Sequence, residues 1–282
     1  MKKNQYGLRS ETPFFMSVPA LLWQFLFLYV PLISIVALSF LRFSQGLVSF
    51  SLHHYQSLFK EMYWLIIARS MVLAFSTATI CLLAAYPIVY WLIFRVREYK
   101  NIFLFFLIVP FWTSLLVQAY SWFFVLEKNG LVNTLLTKLG IVAEPLHLLD
   151  TPFAIHLVMV YCYLPFMILP LYNAMEKLDL RLIEASMDLG ANQFQTFLRI
   201  SLPLSLQGIK TGFFLVFVPS FGEFVIPALL GGGKRFYIGS LIEHFFLVSR
   251  DICAGAAFTC LCGAILLGLM VMVRWLFDKI LR

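Results

Sequence analysis

Long apolar stretches separated by short polar connections dominate the pattern of this chain. A membrane-spanning helix needs about 20 mostly apolar residues, and six stretches are long enough. We number them as predicted spans one to six, and they cover residues 14–41, 66–94, 102–126, 152–175, 205–230 and 253–277. The pattern predicts an all-α polytopic membrane protein with six transmembrane helices, folded as a single domain over residues 1–282.

Local signals refine this pattern at three places. Thr12-Pro13 and Thr151-Pro152 each put a capping residue before a proline suited to a first helical turn, which predicts clear starts for spans one and four. Residues 238–248 are apolar and aromatic but too short to cross a bilayer. We expect this piece to be re-entrant or to lie along the membrane interface.

Composition excludes a soluble protein. Hydrophobic residues make up 61% of the 282 residues and charged residues 12%, against roughly 45–50% and about 25% in globular chains. The net charge of +7 forms no basic cluster, so we expect contact with membrane lipid and none with nucleic acid. The five cysteines all fall in apolar stretches, which favours small buried side chains over a disulfide framework or a metal site.

The distribution of lysine and arginine predicts how the spans are oriented. Thirteen lie in the N-terminal tail, the connection after span two, the connection after span four with the start of span five, and the C-terminal tail. Eight lie in the other connections. Because positive residues favour the cytoplasmic side, this predicts a multi-pass membrane protein with both termini in the cytoplasm. Arg95, Arg97 and Lys100 give the strongest single indication.

The polar stretch between spans four and five, residues 176–203, has a helical pattern of its own, and we call it the connector. Apolar residues recur at helical spacing on both sides of Gly190: Leu180, Ile183 and Met187 before it, and Phe194, Phe197 and Leu198 after it. Gly190 predicts a turn, and Pro203 is expected to close the second helix. A rigid helix–turn–helix outside the membrane predicts contact with another molecule.

No catalytic constellation is apparent. The run from Gly231 to Arg235 superficially resembles a phosphate-binding loop, but Ala228 and Arg235 stand where a Walker A sequence requires Gly and Ser or Thr. The pair His53-His54 lacks a third ligand in the sequence, so no metal site is expected. We therefore expect a chain that is not an enzyme and binds no cofactor; if it moves a substrate uphill, ATP and Mg²⁺ must be used by a separate chain.

Glu223 is a carboxylate within span five, flanked by Pro219 and Pro227. A charge at mid-bilayer costs about 2.5–3.5 kcal/mol, so it needs a partner or a water-filled path. The prolines loosen the helix, and broken helices at membrane depth are tolerated where they line a cavity. Glu223 is either part of a cation pathway, or a carboxylate that reaches the outer interface or pairs with a neighbouring span.

Aromatic residues near the middle of spans are the other candidates for a substrate path. Trp112 lies in span three, and Tyr161 and Tyr163 lie in span four. Aromatic faces attract an organic ammonium group by about 0.5–2 kcal/mol each, and plain packing is the alternative. Tyr120 and Trp122 lie near a span end and are expected to belong to the interfacial belt.

The connector resembles the EAA motif of ABC-importer permeases. The residues that carry the resemblance are Glu184-Ala185-Ser186, Gly190 and Ile200-x-Leu202-Pro203, and only Ser186 departs, because alanine is usual there. Over nearly the whole chain the sequence is similar to spermidine/putrescine permeases of the PotB/PotH type. The matching runs are Ile108–Thr113, Leu164–Met167, Glu176–Asp179, Gly222–Pro227, Leu229–Gly232, Arg250-Asp251 and Gly255–Ala257. Relatives tend to read Trp-Pro where this chain has Ile252 and Cys253.

The resemblance implies a MetI-like type I importer fold in the bacterial inner membrane. Its implied partners are a second permease subunit, a cytoplasmic ATPase subunit dimer and a periplasmic polyamine-binding protein. It implies that the connector couples to the ATPase through Glu184, Ala185, Ser186, Gly190, Phe194, Phe197, Arg199, Ile200 and Pro203. Two alternatives stay open: the same architecture with thiamine, iron(III) or an anion as substrate, and a secondary transporter or channel that needs no ATP. The EAA spacing argues against the second.

Overall fold

A computed structural model describes residues 12–44, 47–94, 96, 99–233 and 235–280. Several charged residues used above to predict orientation lie outside the described residues: Lys2, Lys3, Arg9, Arg95, Arg97, Lys234 and Arg282. The described residues group into two compact units. One comprises residues 12–60 with 244–264, and the other comprises residues 61–243 with 265–280. A single domain over the whole chain remains a prediction.

The first unit contains span one and a β-hairpin. Span one is helical from Thr12 to Ser39, with helices Thr12–Gln24 and Val30–Ser39 joined by a π-helical turn at Phe25–Tyr29. Strands Leu41–Ser44 and Leu47–Phe50 pair antiparallel, where the sequence pattern predicted the end of span one and a loop. A short helix, His53–Ser57, follows, and its Tyr55 hydroxyl donates to Ser39 Oγ at 2.9 Å.

The second unit contains spans two to five. Its helical segments are Glu61–Phe94, Lys100–Ile108, Val109–Trp112 (3₁₀), Leu115–Leu126, Leu131–Lys138, Pro152–Met175, Leu180–Asp188, Gln193–Thr196, Phe197–Ser201 (π), Leu202–Phe221, Val225–Leu230 and Ile238–Glu243. A π-helical turn, His244–Val248, belongs to the first unit, and helix Ile252–Ile280 forms span six. Among the described residues, five helices are long and apolar enough to cross a membrane, or six if span three is counted despite its bend.

Spans two, four and five pack together as the core of the second unit. Small residues of span two, including Ala74, Ala78 and Ala85, are fully buried in it. Span five approaches span four closely, since a Cβ added at Gly208 would come within 2.6 Å of the Cβ of Ala174. This packing decides which face of each span is left exposed.

Spans three and five each contain a break that the sequence pattern did not predict. Span three is broken: helix Lys100–Ile108 runs into a 3₁₀ turn, and the chain bends by 94° before helix Leu115–Leu126. The predicted span five, residues 205–230, begins too late and overlooks a break, because its helix starts at Leu202, ends at Phe221 and resumes at Val225. The predicted span four is confirmed as Pro152–Met175, with Thr151 Oγ1 accepting from Ala154 N at 3.2 Å.

Candidate functional site

The first helix of the connector, Leu180–Asp188, has defined ends. Asp179 caps its start, with Oδ1 accepting from Arg181 N at 3.0 Å. At its end, Gly190 has φ +87°, a left-handed conformation that favours glycine. Gly190 N donates to Met187 O and Ala191 N donates to Ser186 O, which is a Schellman motif. The predicted glycine turn is therefore present.

The second helix of the connector begins with a reciprocal cap. Asn192 Oδ1 accepts from Gln195 N at 2.8 Å, and Gln195 Oε1 accepts from Asn192 N at 3.1 Å. The expectation that Pro203 closes this helix is wrong, because the chain stays helical from Gln193 to Phe221. A π-helical turn at Phe197–Ser201, in which Leu202 N donates to Phe197 O, widens the backbone just before the proline. The connector thus continues directly into span five.

Contacts within the chain brace the connector. The hydroxyls of Ser186 and Thr196 lie 3.0 Å apart and join the two helices. Ser186 is the residue that departs from the EAA pattern, and alanine could not make this contact. The ring of Phe197 lies edge-on to Tyr86 of span two, with centroids 5.2 Å apart. Phe197 is therefore half-buried against span two, and its role in coupling stays a prediction.

The exposed face of the connector also includes apolar residues that the predicted motif does not contain. Leu189 is 88% exposed, and Leu182 and Met187 are about half exposed. Sequence reasoning missed Leu182 and Leu189, although both were readable as apolar residues in a stretch outside the predicted spans. Of the motif residues, Glu184, Ala185, Gly190, Phe194, Arg199 and Pro203 are exposed, and Ser186 and Ile200 are partly buried.

An ion pair lies beside the connector. Lys100 Nζ, at the start of span three, is 2.5 Å from Glu176 Oε1. The Tyr172 hydroxyl donates to the same oxygen at 2.8 Å. The hydrogen bond from Lys100, followed by that from Tyr172, lowers the pKa of the Glu176 carboxyl. These groups help line a polar cavity of about 480 Å³.

Glu223 lies at the break in span five and faces the protein interior. Glu223 is 8% exposed. Oε2 accepts from the Tyr163 hydroxyl at 2.6 Å, and Oε1 accepts from Val225 N, the first residue of the next short helix, at 2.9 Å. The structure therefore brings Glu223 and Tyr163 together as a buried hydrogen-bonded pair, and no cation among the described residues pairs with Glu223.

The other two candidate aromatics lie elsewhere. Tyr161 is 40% exposed and its ring lies 5.2 Å from that of Trp122, with which it packs edge to face. Trp112 is 75% exposed and packs edge-on to Phe105. The four predicted path residues therefore do not form one cluster: Glu223 and Tyr163 are internal, and Trp112 and Tyr161 are accessible.

Sequence reasoning missed Gln118 of span three. Its Nε2 donates to Pro110 O at 2.5 Å and to Thr113 Oγ1 at 2.8 Å, across the bend in that span. Its Oε1 accepts from Cys162 Sγ at 3.3 Å. An amide in an apolar stretch, eight residues after a proline, was the available signal, because such a group needs partners inside a membrane.

A row of polar residues on span five was also missed. Gln207 and Thr211 are one helical turn apart on its exposed face. With Asn173 of span four, they line a groove of about 450 Å³ between the two spans. Within the described residues, no three His, Cys, Asp or Glu side chains group closely enough to hold a metal ion.

Comparison with known proteins identifies the class that these features define. Residues 82–282 match the family described as binding-protein-dependent transport system inner membrane component. The chain belongs to this family, and it is therefore an inner-membrane permease component of an ABC importer.

Two relatives are similar over most of their length. The spermidine/putrescine transport system permease protein PotB of Escherichia coli K12 is 38% identical over 92% of this chain and 95% of its own. The protein of the same name from Haemophilus influenzae is 37% identical over 92% of each chain. The predicted resemblance to spermidine/putrescine permeases is confirmed.

A solved structure has the same fold. A chain in the crystal structure of a bacterial alginate ABC transporter, in complex with alginate pentasaccharide-bound periplasmic protein, aligns with a TM-score of 0.72. It covers 97% of this chain and 96% of its own at 18% identity. The predicted helical permease fold is confirmed.

Proposed function

We propose that this chain is one of two permease subunits of an ATP-driven polyamine importer. The observation that carries the polyamine is the 37–38% identity, over 92% of the chain, to permeases named for spermidine and putrescine. In this proposal a periplasmic binding protein delivers the polyamine and both termini of this chain lie in the cytoplasm. ATP and Mg²⁺ are used by a separate ATPase dimer.

The connector is the site where we propose that the ATPase docks. Its two helices have capped ends and a hydroxyl contact between them, so it can transmit displacement without deforming. Its exposed apolar residues Leu182 and Leu189 would be buried by a partner, with Glu184 and Arg199 as polar contacts at the rim. The helical continuity from Gln193 to Phe221 would carry that displacement into span five.

A second permease subunit would complete the substrate path. Polar side chains at membrane depth face a bundle interior or a water-filled cavity more readily than lipid. Gln207 and Thr211 on span five meet this condition, and Trp112 and Tyr161 are accessible aromatics that could contact an ammonium group. Glu223 and Tyr163 are buried, so in this proposal they hold the helices that line the path and do not contact the substrate themselves.

Uptake into right-side-out vesicles, with the binding protein outside and ATP inside, tests the proposal. Vesicles that carry this chain with its candidate partners should accumulate labelled spermidine or putrescine only with ATP and the binding protein. Accumulation of thiamine, iron(III) or sulfate in preference would replace the substrate, and uptake without ATP would replace the importer by a secondary transporter.

A matched pair of variants tests the docking site. Leu189→Asp should abolish ATP-driven uptake without lowering the amount of inserted chain, because the side chain is exposed and packs on nothing that folding requires. Leu139→Asp, at a leucine that is 71% exposed outside the connector, is the control and should transport normally. Normal uptake by Leu189→Asp would remove the connector from the coupling role.

A further inference from the structure

Two membrane helices of the second unit are broken, and each break frees backbone groups that need partners. Span three breaks around Pro110–Ser114 with a 94° bend, and span five breaks at Gly222–Phe224. Non-helical backbone at membrane depth persists only where the protein satisfies it. The two breaks are therefore places where side chains decide the geometry.

Gln118 contributes to one break and Glu223 to the other. The Gln118 amide donates to Pro110 O and to Thr113 Oγ1, and the Thr113 hydroxyl donates to Pro110 O at 2.7 Å, so Gln118 and Thr113 together fix the bend in span three. The Glu223 carboxylate accepts from Val225 N and so fixes the start of the helix that follows the break in span five. Both are local contacts, within eight residues along the chain.

Each of these side chains has a second contact, and both second contacts are on span four. Gln118 Oε1 accepts from Cys162 Sγ at 3.3 Å, and Glu223 Oε2 accepts from the Tyr163 hydroxyl at 2.6 Å. Cys162 and Tyr163 are consecutive residues of the unbroken helix Pro152–Met175. Their Cα atoms are separated by a rise of about 1.5 Å along one helix.

We propose that Cys162 and Tyr163 of span four tie the two breaks together, so that the bend in span three and the break in span five change as a unit. Gln118 and Glu223 are then positioning residues whose partners share one rigid helix. If either break is displaced, span four must shift with it or the hydrogen bond between them is lost. In both cases the geometry of the other break changes. This inference does not depend on the substrate or on the partners of the chain.

The opposing possibility is that each break is fixed locally and span four only fills space between them. A chain of contacts is not by itself coupling, and perturbing one site while observing the other is the direct test. Tyr163 serves this purpose, because its hydroxyl contacts Glu223 and not Gln118. Tyr163→Phe therefore removes one hydrogen bond at the break in span five and nothing at span three.

The measurement is a distance distribution between spin labels across the bend in span three, in the full chain in lipid nanodiscs. All five cysteines are first replaced by serine, which keeps a donor at position 162, and labels are attached at Ile102→Cys and Val117→Cys, both exposed positions. The parent should give one narrow distance. Adding Tyr163→Phe should broaden or split that distribution, although the substitution lies at the other break.

Controls make the outcome decisive. Tyr120→Phe removes a hydroxyl from an exposed tyrosine near Gln118 and should leave the distribution narrow. Alanine at position 162 in place of serine should broaden it, which separates the hydrogen bond from side-chain volume. Labels at Leu215→Cys and Ala228→Cys report the distance across the break in span five. The distribution of that distance should broaden when Gln118→Leu is added. An unchanged span-three distribution in Tyr163→Phe would overturn the proposal, as would equal broadening by Tyr120→Phe.

Discussion

The exposed faces of spans two and five differ in chemistry although both helices belong to one packed core. From Val72 to Trp91, the exposed side chains of span two are all apolar: Val72, Phe75, Ile80, Leu83, Pro87 and Trp91. The exposed face of span five includes Gln207 and Thr211 among apolar residues. A face that meets lipid gains from apolar side chains, whereas polar side chains are retained where water or protein covers them.

The comparison shows that an exposed side chain in a single membrane chain can be of two kinds: one suited to lipid, and one suited to a protein partner or a water-filled path. The face of span two suits contact with lipid, since its exposed side chains between Val72 and Trp91 are all apolar. The face of span five is not suited to lipid alone, because the polar side chains of its groove with Asn173 need a protein partner or water to cover them. Mean hydropathy along each span does not distinguish these cases, because the difference rests on two or three residues per face.

The largest expected effect comes from placing a charge on each face. Val72→Arg puts a guanidinium where we expect lipid, at a cost of about 2.5–3.5 kcal/mol near the helix centre. The yield of monodisperse chain extracted from membranes should fall sharply. Thr211→Arg places the same charge on the face of span five, where the groove and its polar neighbours offer solvation, and its yield should stay near that of the wild type. Equal losses in both variants would remove the distinction between the faces.

Much of the helical framework could be predicted from sequence because it depends on local signals. Span four was predicted as residues 152–175 from an apolar run that begins with Thr151-Pro152, and the structure has those bounds. The turn at Gly190 followed from helical periodicity on either side of a glycine. The capping box of Asn192 and Gln195 was equally local, and the same reasoning could have found it.

The breaks in spans three and five could not be predicted, because proline alone does not decide them. Pro165 and Pro170 lie inside the unbroken span four, and Pro87 lies inside the unbroken span two. Span three breaks near Pro110, whose carbonyl accepts from Thr113 N and from the Gln118 amide. In span five the break involves Tyr163, 60 residues away in sequence. Such long-range contacts leave no pattern in the chain around the break.

A second prediction concerns the buried face of span five, which sets the direction of its exposed face. A Cβ at Gly208 would lie 2.6 Å from Ala174 Cβ and 2.8 Å from Pro170 O, so Gly208→Ala must push spans four and five apart. Overpacking of this kind costs about 1–3 kcal/mol, and the midpoint of thermal unfolding should fall. Gly268→Ala in span six is the matched control, because a Cβ there meets nothing within 4 Å. A midpoint for Gly208→Ala as high as that of the control would show that the close approach is not required.

The smallest effect is expected at the ion pair of Lys100 and Glu176 beside the connector. Both side chains are partly exposed, so water screens the pair and Glu176→Gln should lower the midpoint only slightly. The pKa of Glu176 is lowered in the folded chain by its hydrogen bond from Lys100. The stability that the carboxylate contributes is therefore present above its unfolded pKa and is lost as the pH falls through the folded value. Thermal midpoints of the wild type and Glu176→Gln, measured from neutral into acidic pH, should converge as the pH falls. A difference that widens toward acid would contradict this assignment. A difference as large as that for Gly208→Ala would mean that this ion pair stabilises the chain as much as the packing of spans four and five.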